Sequence, residues 1–286
     1  MASGRNQGNR PSSGKSKSGI KAARAVQDAK RPVPWGVIGA VLVLVLLAGG
    51  IFAYTYSRID DQNQAAEAAK QAQAERDQRL APHNAVMKQW APTPSNPDPS
   101  KKIKGVVTRK YPAGKHVAPT QRVAYNQSPP FGGPHDAIWA DCTGVVYPKA
   151  VRSENMVHAL EHGTVWIAYN PAEVTGKSLD ELKDRTSNQP FTMLSPYPAM
   201  DTPISVQSWG HQLKVRSATD PRIDQFIGAL RRNPNTYPEV GASCDALGPG
   251  RFDTNNPPPF EPGPPGPDAV PMSGGQGAAG ESGAGG

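Results

Sequence analysis

Residues 36–53 read GVIGAVLVLVLLAGGIFA, eighteen positions without a charge. As a helix they reach about 27 Å, close to the hydrocarbon thickness of a bilayer. The charge-free interval extends from Arg31 to Arg58, and Trp35, Tyr54 and Tyr56 stand where interfacial aromatics anchor a span. A cleaved signal peptide has a shorter apolar region of roughly 7–15 residues followed by a small-residue cleavage site, a pattern this segment does not follow. The expectation is one uncleaved transmembrane helix over 35–54, with the lipid bilayer as its partner. Arg5, Arg10, Lys15, Lys17, Lys21, Arg24, Lys30 and Arg31 precede it with only Asp28 opposing, whereas Arg58, Asp60 and Asp61 follow. The positive-inside rule then puts residues 1–34 in the cytoplasm and the chain beyond the span outside, a single-pass cell-membrane topology.

The same charges dispose of a nucleic-acid reading. The net charge is +7, but it is concentrated in the low-complexity head, and the rest of the chain carries 23 basic and 23 acidic residues. Nucleic-acid recognition needs that excess on a folded surface. Residues 1–34 read as a disordered basic head. Residues 55–102 read as a helical stalk rich in Ala, Gln and Glu, interrupted by Pro82, with a Pro-rich linker at 91–100. Residues 246–286 hold 11 Gly and 9 Pro and read as a disordered tail.

Between them, residues 103–245 are expected to form the extracytoplasmic globular domain. GTVWIAY at 163–169 is β-branched and aromatic and predicts a buried strand, with further strands at 191–194 and 204–215. Residues 154–162 predict a short helix, and Ser178 with Glu181 predicts a capping box for another near 179–186. Asp220 and Pro221 open a third, in which Ile223, Phe226, Ile227 and Leu230 recur at helical spacing until Pro234. The predicted fold is α+β, a small, mainly antiparallel sheet with a few short helices.

Cys142 and Cys244 are the only cysteines. In an oxidising compartment a disulfide between them is the economical reading; a thiol metal site would need more ligands and a reducing compartment. Closing a loop of that length is worth roughly 4–5 kcal/mol in the chain-entropy model.

Four histidines stand in motif-like settings: Phe131-Gly-Gly-Pro-His135, His158-Ala-Leu-Glu161-His162-Gly163 and Trp209-Gly210-His211. His158 and His162 are four apart and share a helix face, and glycines beside the others permit tight turns that let rings converge. The expected metal ligands are His135, His158, His162 and His211, with copper or zinc as the ion. For each ring taken singly, the alternative is a buried hydrogen-bonding strut. Met156, Met193 and Met200 lie nearby, where thioethers would suit copper or simply fill core gaps.

The segments SPPFGGPH (128–135), MVHALEHGTVWIAYNP (156–171) and SWGHQLKV (208–215), behind an N-terminal anchor, resemble the bacterial family known as domain of unknown function 3105. The resemblance covers roughly residues 103–245. It implies an anchored extracytoplasmic domain and names no activity. The family's first motif has Ser or Thr where Gly132 stands here, which bears only on that side chain's role.

Three functional readings follow. A metal-binding module would use the histidine set. A structural or interaction domain of the cell envelope, with a protein partner there, would use the same rings only to hold its loops. His158-x-x-Glu161-His162 also matches the inverted zinc-protease pattern, in which Glu161 would be the general base. Gly163 and a strand follow His162 at once, where that class continues a long helix, so the sequence leans against an enzyme. No phosphate-cradling loop, nucleophile elbow or dinucleotide fingerprint occurs. Glu161 has a further reading, as the acceptor that orients a histidine through its second ring N–H.

Overall fold

The structure is a computed structural model that describes residues 33–274 apart from 199 and 249, together with 276–277. The basic head, up to residue 32, lies outside the described residues. The chain divides into two compact units, Met1–Ala65 and Ala66–Gly286.

Helix α1 (Trp35–Gln89) begins with the apolar run, whose side chains are exposed throughout, and it is the one described helix long and apolar enough to cross a membrane. Within the second unit the elements in order are β1 (Val106–Thr108), β2 (Lys115–Val117), β3 (Val123–Ala124), β4 (His135–Asp136), β5 (Thr143–Val146), α2 (Ser153–Glu161), β6 (Val165–Tyr169), α3 (Gly176–Thr186), β7 (Thr192–Pro196), β8 (Ile204–Ser208), β9 (His211–Val215), α4 (Arg222–Leu230), β10 (Val270–Pro271) and β11 (Gln276–Gly277).

The fold is α+β, as the sequence predicts. Six strands form the main sheet in the order β1-β9-β8-β6-β7-β5. The first three pairings are antiparallel, whereas β6/β7 and β7/β5 run parallel. Alternation along β6 explains why its sequence is apolar without a break: both faces of the sheet are covered. Val165, Ile167 and Tyr169 join one core with Leu213 and with Ile223, Phe226 and Leu230 of α4. Trp166 and Ala168 point the other way, into a core with Met156 and Leu160 of α2, Phe131, Tyr237 and Phe252.

Two expectations change on contact with the structure. Pro82 does not interrupt the stalk, because α1 runs through it to Gln89. An interior proline costs a helix about 3 kcal/mol. Leu80 and Met87 are buried within the second unit, and burying two such side chains recovers energy of that order. Polar contacts add to this: Arg79 pairs with Asp184 at 3.0 Å, and His83 Nδ1 meets Asp224 Oδ2 at 2.7 Å. Asp224 also accepts from buried Arg185 Nε at 2.8 Å. Gly228 of α4 permits the closest approach, since a Cβ there would stand 2.3 Å from the Met87 carbonyl oxygen. The linker is likewise tied down, with Pro99 and Ser100 buried and Asn233 Nδ2 donating to the Pro97 carbonyl at 2.8 Å.

The second change is at α3, which starts at Gly176 behind Thr175, so Ser178 lies inside the helix and no side-chain cap forms. Part of the Pro- and Gly-rich segment after residue 245 packs on the domain. Phe252 is fully buried, the Phe260 ring packs 4.6 Å from that of Tyr197, and β10 pairs in parallel with β3. Arg122 donates to the carbonyls of Glu261, Gly263 and Pro264, which supplies partners to a Pro-rich backbone that cannot pair with itself. Residues 278–286 lie outside the described residues.

Candidate metal centre

Two local structures build the centre. One is the end of α2. His158 and Glu161 are three apart and share a face, and His162 caps the helix. The helix stops there because Gly163 turns to φ +91°, and a Cβ on it would stand 2.6 Å from the Tyr237 ring. The other is the parallel pair β2/β4, whose register sets His116 directly beside His135. The packing of α2 against β4 brings the two together.

The rings form a chain. Centroids of His116 and His135 lie 5.1 Å apart, His135 and His158 4.8 Å, His116 and His158 5.3 Å, and His158 and His162 4.7 Å. One potential ligand atom each from His116, His135, His158 and Glu161 lie within 4.8 Å of one another, and the same holds for His158, His162 and Glu239. The first set is buried except for half-buried His116. In the second set Glu239 is 35% exposed at its side chain.

Backbone carbonyls fix the tautomers. His135 Nδ1 lies 2.8 Å from the Gly133 oxygen, His158 Nδ1 2.6 Å from Asp136 O, and His162 Nδ1 2.6 Å from Ser243 O. A carbonyl can only accept, so each Nδ1 carries a proton and each ring turns its Nε2 to the cluster. These outer contacts are themselves supported. Asp136 is ion-paired with Arg152. Ser243 precedes Cys244, whose disulfide to Cys142 is formed. Cys142 N–H donates to the Cys244 carbonyl at 3.0 Å, and Trp139, whose ring lies 4.8 Å from that of His162, donates its Nε1–H to Asp245 O at 2.9 Å.

Electrostatics follow from burial and crowding. Burial, then the neighbouring His135 and His162, hold the His158 imidazole well below its usual range, so it stays neutral. The His162 ring, whose Nε2 is 3.1 Å from Oε2, is the main cause that holds the Glu239 carboxyl below the usual carboxylate range. Glu161 Oε1 accepts from Gly114 N–H at 2.8 Å, and Oε2 approaches His135 Nε2 at 2.8 Å. Both atoms of the latter pair are buried, and the pair is not aligned as a hydrogen bond.

Of the four histidines singled out from the sequence, His135, His158 and His162 are brought together and His211 is not. His211 opens β9 after the Trp209-Gly210 turn, donates Nδ1–H to Trp209 O at 2.7 Å, and faces Asp98 at 3.9 Å. Its ring belongs to neither ligand group; the register of β9 against β1, with Thr108 opposite His211, sets it beside the 97–102 segment instead. Burial holds it, too, below the usual imidazole range. His116 and Glu239 enter unannounced. His116 sits in Gly114-Lys-His-Val, apart from the three motifs that drew attention, and Glu239 follows Pro238 in a loop beyond α4. Only the parallel pairing and the loop's return to α2 bring them in. Met156, Met193 and Met200 pack in the apolar core around Trp166.

Residues 116–246 match the family model described as "Protein of unknown function (DUF3105)". No curated protein and no solved structure matches the chain. The matched stretch begins at His116 and contains every residue of both ligand groups.

Proposed function

From a chain that belongs to the DUF3105 family through residues 116–246, we propose a transition-metal-binding domain held outside the cell membrane by its N-terminal helix. The carrying observation is the set of half-buried His116 with buried His135, His158 and Glu161, whose ligand atoms lie within 4.8 Å of one another. Three imidazoles and a carboxylate are the donors of borderline divalent ions, zinc(II) or copper(II). The rings of His135 and His158 are oriented as ligating histidines are, with Nδ1–H on a carbonyl and Nε2 inward. Two lone-pair atoms at 2.8 Å without hydrogen-bond alignment call for a cation between them.

The donors narrow the ion. Both cysteines are in the disulfide, and the nearby methionines are core residues, so soft sulfur ligands are lacking. In this reading Glu161 Oε2 is a ligand to the ion, which takes it out of the general-base role of the hydrolase reading. Outside placement draws support from the basic head before the span and from the disulfide.

Zinc(II) and copper(II) titration of the full chain in detergent, compared with Glu161→Gln, tests the reading. The expected result is tight binding by the wild type and a loss of at least tenfold in affinity in the variant. Equal, weak uptake by both proteins would leave a metal-free envelope domain.

A further inference from the structure

The proposal above rests on the buried set, but the cluster has a second set that shares one residue with it. We propose that the domain holds two metal ions, the second bound by His158, His162 and Glu239 and the first by His116, His135 and Glu161.

The argument starts from His158. Its Nδ1 is committed to the Asp136 carbonyl, so a single nitrogen, Nε2, is left to ligate, and one nitrogen lone pair serves one ion. Both ligand groups contain His158. Assigned to the outer group, it leaves each side with two imidazoles and one carboxylate, a recurrent donor set that keeps coordination positions open.

The two short contacts give the same division. His135 Nε2 and Glu161 Oε2 lie 2.8 Å apart, and His162 Nε2 and Glu239 Oε2 lie 3.1 Å apart. Ligands at about 2.0–2.1 Å from an ion, separated by octahedral to tetrahedral angles, stand roughly 2.8–3.4 Å from each other. Each contact therefore has the length of one edge of a coordination polyhedron. His158 neighbours both edges in the histidine chain, its ring 4.8 Å from that of His135 and 4.7 Å from that of His162. His158 Nε2 is 4.0 Å from Glu239 Oε2, within reach of the outer ion.

Exposure separates the two positions in character. His135 and Glu161 are completely buried, whereas Glu239 is 35% exposed at its side chain, so the outer ion keeps solvent-facing positions and exchanges first. The Trp139 ring, 4.8 Å from His162 and 5.5 Å from His158, covers that ion.

The test is a zinc(II) competition titration of the full chain in detergent, with Glu239→Gln and His162→Gln as variants and the disulfide verified by non-reducing mass spectrometry. Glu239 lies in a partly exposed loop, so its replacement leaves the fold intact. Two equivalents are expected for the wild type, with the weaker one lowered at least tenfold in both variants and the tighter one retained. A single equivalent in the wild type overturns the second ion, whether or not the variants weaken it, and leaves the buried site standing. No uptake at all would remove both.

Discussion

Oε2 of Glu161 lies 2.8 Å from Nε2 of His135, with both side chains fully buried and 26 positions apart in the sequence. The contact joins the last turn of α2 to strand β4 and closes the buried ligand set. Everything proposed for the domain depends on what occupies that gap.

Acid should weaken the metal-free domain. His158 and His211 have imidazoles held below their usual range by burial, and His158 additionally faces His135, His162 and His116, with the Glu239 carboxylate at the outer edge. The unfolded chain takes up these protons near pH 6.5, the ordinary imidazole value, while the folded domain does not. Stability is therefore fully present above that pH and is lost as pH falls below it towards the folded values. Urea unfolding of chelator-treated protein at pH 7.5, 6.5 and 5.5 should give descending midpoints. A flat profile would mean that these rings protonate freely in the folded state.

Gly228→Ala should destabilise the second unit by about 1–3 kcal/mol, the usual range for overpacking a close contact. The added methyl would meet the Met87 carbonyl, which lies 2.3 Å from its position. In an exposed helix the same change would stabilise, because alanine is the better helix former. Denaturant midpoints decide the sign.

That contact also shows what the sequence could and could not convey. Strand β6 and helix α4 were legible because local pattern determines them: an unbroken β-branched and aromatic run in one, apolar residues at helical spacing in the other. Leu80 and Met87 give no such signal, since two apolar positions seven apart in an Ala/Gln/Glu-rich helix mark no stripe, so the docking of α1 beyond Pro82 emerges only with its partners. The site behaves alike. His158 and His162 follow from i, i+4 spacing, while His116 depends on pairing with β4 across 19 residues and Glu239 on the return of a loop. His211 shares the glycine-flanked look of the others, but strand register, which motif spacing does not encode, turns it towards Asp98.

Removing the disulfide with Cys142→Ala and Cys244→Ala should cost about 2–5 kcal/mol of unfolding free energy. It should also loosen the outer histidine, because residues 243–245 hold both His162 and Trp139. The measurable signature is a lower denaturation midpoint together with faster amide exchange at Ser243 and Asp245. Protection equal to that of the oxidised protein would show that the loop is held by other contacts.

Topology can be read with a single cysteine. Ser95 is exposed in the segment after α1, and Ser95→Cys in intact cells should react with a membrane-impermeant maleimide. Labelling that requires lysis would place the domain in the cytoplasm and would leave its disulfide without an oxidising compartment.

The central claim is the buried metal set, and elemental analysis of the full chain is its most direct test. The protein should be purified from native membranes without added metal or chelator. The account predicts at least one zinc or copper per chain, retained through dialysis and reduced to background in a His135→Ala, Glu161→Gln double variant whose disulfide is intact. Wild-type protein that is folded, disulfide-bonded and free of both metals, and that takes up neither on titration, would contradict it.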